Sequence, residues 1–388
     1  MTPRHLWPAS SGVAQNGTTP IALEGQGVVS WSLPIPVRMA SQLVADVEGR
    51  WFLRTPDLVV AGNRQAVLWQ RDAGAEEPCL LDDGSLVVPF RGELLALDPA
   101  TGTARWSVSG QHVHAAPLPD GGCGAVRVNQ RESTLVVLDG AGVTRWEARV
   151  AGSVAPPIGR SDGSIVLASE PWIEAFDASG TRRWRVSVEG FDLSPGERQR
   201  FTTQPLDLDG ERLIVGADGY GWLGFLIIDP ARRSTRPWPP DNRPKVAPRP
   251  PIALRRAPAP LALVAPLQAM LRLIAIDGVR DDVIDEAFDA PPSTIELWTE
   301  PLRRPPYACA VDPQGRIAVA YTDSTDLHDP YLWGNGAEEM RGRSGVALLD
   351  PDGRRRWTWD APGPLGGFAV GAAGEILVSS EGRLWALT

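Results

Sequence analysis

Two histidines one residue apart, His112 and His114 in the run QHVHAAP, are the first side chains in this sequence that could do chemistry. In an extended segment residues i and i+2 share a face, so the two imidazoles are expected side by side. Much further along, His328 stands among Asp323, Asp326 and Asp329. Imidazoles with a carboxylate can hold zinc or iron, which makes His112, His114 and His328 the metal candidate of the chain. The bland reading of the same residues is an HxH pair lining a rim or packed beside a sheet, with no metal expected. Cys79, Cys123 and Cys309 have unrelated spacings and form no zinc, haem-attachment or disulfide pattern. No GxSxG, HExxH, P-loop or dinucleotide fingerprint occurs, so no catalytic residue is assigned.

A second group mixes aromatics, arginines and acids: Arg131, Trp172, Arg200, Tyr220, Trp222, Asp326, His328, Asp329, Tyr331 and Trp333. Most fall on segments longer than a turn requires, EGFDLSPGERQRFTTQ (189–204), GADGYGWLG (216–224) and TDSTDLHDPYLWGNGAEEMRGRS (322–344). Loops beyond about 12–15 residues with no structure of their own are commonly functional or disordered. Aromatics beside arginines are the composition of an interaction surface. The stretch 231–258 carries eight basic residues against one acid and is rich in proline, which reads as a solvated connection or a dock for an acidic partner.

The elements that must position these residues are written as a repeat. LLALDPATGTARW (94–106), LVVLDGAGVTRW (135–146), IEAFDASGTRRW (173–184) and VALLDPDGRRRW (346–357) share an apolar strand, an Asp/Gly turn and a tryptophan. Taking Trp31, Trp69, Trp106, Trp146, Trp184, Trp238, Trp298 and Trp357 as register marks, the first five stand 37–40 residues apart and the last three intervals are 54–60. About 40 residues suffice for one four-stranded blade, so fixed-period similarity predicts a β-propeller with longer loops in its later units. In one unit, 153–159, 163–169, 172–177 and 181–188 read as four strands joined by Gly/Asp turns. The tryptophan of the outer strand is expected against the neighbouring blade. The sequence stops after EGRLWALT, where an outer strand is due, and GVVSWSLP (27–34) matches that missing strand. The expectation is therefore an all-β, eight-bladed propeller of four-stranded antiparallel blades spanning 1–388. Residues 1–26 would form an extension, 27–34 would close the last blade, and 322–344 would be an insertion loop.

The repeats resemble the pyrroloquinoline-quinone-like (PQQ-like) β-propeller family, whose pattern is close to LxALDxxTGxxxW. The match is plain in units two to four and seven and faint in LIIDPARRSTRPW and in LIAIDG with its distant IELW. Compact members of that family include the propeller subunit of the bacterial outer-membrane assembly machine, and longer ones are quinoprotein dehydrogenases. The dehydrogenases use a vicinal Cys-Cys disulfide over the quinone, which this sequence lacks, so no cofactor is expected. The resemblance implies a scaffold that binds protein partners rather than an enzyme. An enzyme or small-molecule site at the axial mouth is the alternative, because propellers gather acids from several blades there.

Bulk composition narrows the classes further. The net charge of −9 disfavours nucleic acid as the main partner. A single lysine, Lys245, among many arginines suggests GC-rich bacterial coding. No run approaches the ~18 apolar residues of a membrane span and the N-terminus has no signal-peptide pattern, so a cytoplasmic monomer is expected.

Overall fold

The computed structural model describes residues 18–37, 42–55, 57–72, 78–129, 132–153, 156–170, 172–187, 200–201, 205–208, 211–219, 222–232, 234–238, 253–255, 262–267, 270–275, 296–301, 306–321 and 344–388. All regular structure among them is β, arranged as eight antiparallel sheets. Numbered along the chain, sheet I runs from Gln42 to Asp72, II from Cys79 to Ser109, III from His112 to Val150 and IV from Gly152 to Ser187. Sheet V follows from Arg200 to Trp238, VI from Ala253 to Pro301 and VII from Pro306 to Asp360. Sheet VIII joins Leu365–Val370, Ile376–Ser380 and Arg383–Leu387 to Val29–Pro34. Within each sheet the strands pair in order. The first strands of IV and V are split in two; in IV the break contains Pro156 and Pro157, where an expected continuous strand would need amide hydrogens that proline lacks.

The conserved-looking repeat motif is a turn with three tasks. Asp98, Asp139 and Asp177 each accept backbone N–H groups of their own turn on one carboxylate oxygen, as Asp139 does from Ala141 and Val143 at 2.9 Å. The turn glycines Gly102, Gly142 and Gly180 sit at φ of +70°, +79° and +86°, which side chains resist. Each of these glycines is also the seat for a tryptophan of the preceding sheet. A Cβ built on them would lie 2.6–2.7 Å from a ring carbon of Trp69, Trp106 or Trp146. The indole N–H groups of those tryptophans donate to Pro99, Gly140 and Ala178 carbonyls at 2.9–3.0 Å. Burying such a ring is worth about 2–3 kcal/mol.

In sheets II, III and IV the arginine just before the tryptophan ties the outer strand to the first turn of its own sheet. Arg105 reaches Asp83 and Asp98, Arg183 reaches Asp162 at 2.9 Å, and Arg145 pairs with Asp120. Arg105, followed by turn N–H and hydroxyl donors, holds the Asp98 carboxyl down to about 2. These pairs are solvated and contribute about 0.2–1 kcal/mol each.

Sheet VIII is built from distant parts of the sequence. Trp31 to Pro34 pair antiparallel with Ala386 to Arg383, and Val28 and Thr388 exchange backbone hydrogen bonds of 2.9 and 3.0 Å. Trp357 of sheet VII rests on Gly27, as its siblings rest on turn glycines, yet its buried indole nitrogen has no hydrogen-bond partner. The reason is topological: the carbonyl that serves the siblings belongs to a turn joining third and fourth strands, and no such covalent turn exists here. Upstream, residues 18–24 cross the turn ends of VII and VIII. Thr18 bridges Val311, the Leu23 amide donates to Asp312 at 2.9 Å, and the Leu23 side chain is buried in the core.

Apolar clusters fill the seams between successive sheets. They join I to II, II to III, III to IV, IV to V, VI to VII, VII to VIII and VIII to I among the described residues.

Candidate functional site

Strand direction sorts the expected site residues. First and third strands of an antiparallel sheet begin at the same end, so His112, Trp172, Arg200 and Trp222 all lie at the end opposite the Asp/Gly turns of their sheets. The connections containing Arg131, Tyr220 and 322–343 join second to third strands and emerge there too. Arg131, Tyr220, Asp326, His328, Asp329, Tyr331 and Trp333 lie outside the described residues, as do the side chains of Arg200, Trp222, Trp238 and Trp298. One long connection goes the other way: 276–295 joins the third and fourth strands of sheet VI and leaves at the turn end.

The two histidines do not sit side by side as expected. His112 pairs with Arg127 and His114 with Val126, with a bulge between them. Adjacent residues of the partner strand face opposite sides, so the extra residue, Val113, turns His112 and His114 to opposite faces of the sheet. The same irregularity recurs at Pro306/Ala308 and Gly366/Phe368, so it belongs to the first-strand geometry of several units. His112 is 4% exposed and neither ring nitrogen has a hydrogen-bond partner. Burial pushes its pKa down, Arg127 adds to this, and the Gly110 backbone and Glu147 oppose it. Burial alone lowers His114 to about 4. Both rings are neutral at pH 7. No group of three His, Cys, Asp or Glu among the described residues is placed to hold a metal ion.

Trp172, by contrast, belongs to a built cluster in sheet IV. The Arg185 guanidinium stacks 3.8 Å from the centre of its ring. Two residues along the strand from Trp172 is Glu174, 1% exposed, whose Oε1 accepts a 2.5 Å hydrogen bond from the Ser169 hydroxyl. Its Oε2 makes ionic contacts to Nε of Arg182 at 2.9 Å and Nε of Arg185 at 3.8 Å, without an aligned hydrogen bond. Arg182 also lies over Phe176, which packs on Trp146 of sheet III, so the cluster borders the seam between III and IV. Reading the sequence for site residues found Trp172 and missed Glu174, Arg182 and Arg185. The signal was present in the repeat: three residues before the turn aspartate, the sibling units carry Leu95, Val136 and Ala347.

Comparison with known proteins agrees with this architecture. Residues 57–171 match the family model described as outer membrane protein assembly factor BamB. No curated protein matches the chain by sequence. Among solved structures, BamB from Moraxella catarrhalis is similar over 92% of this chain and 96% of its own, at 17% identity and a TM-score of 0.56. The Dos1 propeller is similar over 95% and 97%, at 8% identity and a TM-score of 0.62. The dihydro-heme d1 dehydrogenase NirN is similar over 86% of this chain and 69% of its own, at 10% identity and a TM-score of 0.58. At such identities the likeness is one of fold, the β-propeller.

Proposed function

We propose that the eight sheets close into a single ring of eight blades spanning the chain, and that the ring is a non-catalytic scaffold for protein partners. The observation that carries this reading is the contrast between the two ends of the sheets. At one end sheets II, III and IV are finished with tight Asp/Gly turns braced by arginines, and the connection 276–295 of sheet VI leaves there as well. The other receives the long connection 322–343, the two-residue links 130–131 and 220–221, and the strand starts at Trp172, Arg200 and Trp222. Rigid blades hold such loops at low entropic cost, which favours binding. The description of the matched family, an assembly factor, supports a role among other proteins. In this reading the protein is a monomer on its own and works in the cytoplasm.

The test is co-purification from the host with and without residues 323–344. Loss of a partner from the shortened, still folded chain supports the reading, and unchanged recovery of every partner removes that loop from it. Fractionation of the same cells checks the compartment.

A further inference from the structure

We propose that Arg182 and Arg185 form a preorganised receptor for carboxylates of an acidic protein segment, on the outer wall at the seam between sheets III and IV. This inference does not depend on the ring count or on the loops at the mouth.

The starting observation is a departure from the repeat. At the position of Glu174 sibling units place aliphatic side chains, and a buried carboxylate costs desolvation that leucine would not. Glu174 is therefore poorly explained as a stabilising residue. What it does is aim two guanidinium groups. Both arginines turn Nε toward the same Glu174 oxygen, which leaves their terminal nitrogens directed elsewhere. Among the described residues those terminal nitrogens have no ion-pair partner; the remaining contacts are the faces of Phe176 and Trp172. The side chains are 43% and 35% exposed, so the free forks are reachable.

Stacking on Trp172 fixes the plane of Arg185, so little rotamer freedom remains to be lost on binding. A held fork with two open N–H donors is the complement of a carboxylate, which it binds through paired, charge-assisted hydrogen bonds. Two guanidinium groups against one carboxylate leave the cluster with one net positive charge. An acidic peptide with two nearby carboxylates fits both forks.

The experiment is fluorescence anisotropy of the purified full chain with fluorescein-labelled hexaglutamate, in low salt. Saturable binding that weakens with added salt is expected. Arg182→Ala and Arg185→Ala should each weaken it about tenfold or more, and Trp172→Ala should weaken it by releasing the stack. Arg185→Lys keeps the charge but not the fork and should recover little. Arg183→Ala, whose side chain is held by Asp162, should bind as wild type. Thermal melts establish that each variant is folded. The proposal is overturned by absence of saturable binding, by unchanged affinity in both alanine variants, or by full recovery in the lysine variant. It is also overturned if inorganic phosphate displaces the peptide at lower concentration than free glutamate does, which would make this a phosphate site.

Discussion

Trp106 donates its indole N–H to the carbonyl of Gly140 at 3.0 Å and lays its ring on Gly142, and both partners belong to the next sheet. The turn glycine and the tryptophan that look like one motif in the sequence therefore serve different seams. In sheets II, III and IV the turn glycine receives the ring of the sheet before it. The copies in sheets II and III are thus each half of two contacts.

Two glycines with the same backbone twist separate packing from conformation. Gly142 and Gly92 have φ of +79° and +85°, but a Cβ on Gly142 would meet Trp106 whereas one on Gly92 meets nothing within 4 Å. Gly92→Ala should cost only the left-handed penalty of about 1 kcal/mol. Gly142→Ala adds displacement of the ring and should cost about 3 kcal/mol or more. Urea unfolding of the two variants measures the difference, and equal losses would refute the seat.

Acid should weaken the fold through His114. An unfolded chain protonates histidine near the ordinary value of 6.5, while the buried ring does so only near 4. Between those values the unfolded state binds more protons and is favoured. The contribution of this residue is constant above about pH 7, falls as pH drops from 6.5 to 4, and levels off below. The full loss is about 3 kcal/mol. Urea midpoints at pH 7.5 and 4.5 should differ less in His114→Gln than in wild type.

Glu174→Leu restores the residue type of the sibling units. Its two arginines are partly exposed and can be rehydrated, so stability should stay within about 1 kcal/mol of wild type. Binding of hexaglutamate should nonetheless fall, because the forks lose their anchor. A melt and an anisotropy titration on one sample test both halves.

Leu23 fastens the segment that crosses sheets VII and VIII. Leu23→Ala removes a fully buried side chain and should cost about 3 kcal/mol. Removing the Asp312 carboxylate, which accepts the Leu23 amide and also pairs with Arg316 at 2.7 Å, should destabilise the same region. Hydrogen exchange should show faster exchange of the Leu23 amide in Asp312→Ala.

How far the sequence could be read follows from what repeats in it. The Asp/Gly turns and their tryptophans recur at fixed offsets, so the strand order and the pairing partner of Val29–Pro34 could be anticipated from 27–34 and the final residues. An arginine before the tryptophan recurs in sheets II, III and IV as well, but its partner is a turn aspartate some twenty residues upstream, a contact that only the folded sheet reveals. The histidine pair misled because an i, i+2 argument assumes an unbroken ladder, and Val113 adds one residue to it. Glu174 was legible only by comparing units position by position. The long connections follow no repeat, and residues such as Tyr220 and Trp333 accordingly had composition as their only signal.

The pairing of Trp31 with Ala386 has a consequence for biosynthesis. Translation releases the first of these residues long before the second, so the outer strand of sheet VIII must wait, unpaired, while more than three hundred residues are added. The seat at Gly27 stays vacant until Trp357 emerges, and the exposed edge persists until Arg383–Leu387 leaves the ribosome. That interval is when a chaperone would have most to protect, and slowing synthesis just before the codons of Arg383–Leu387 would lengthen it.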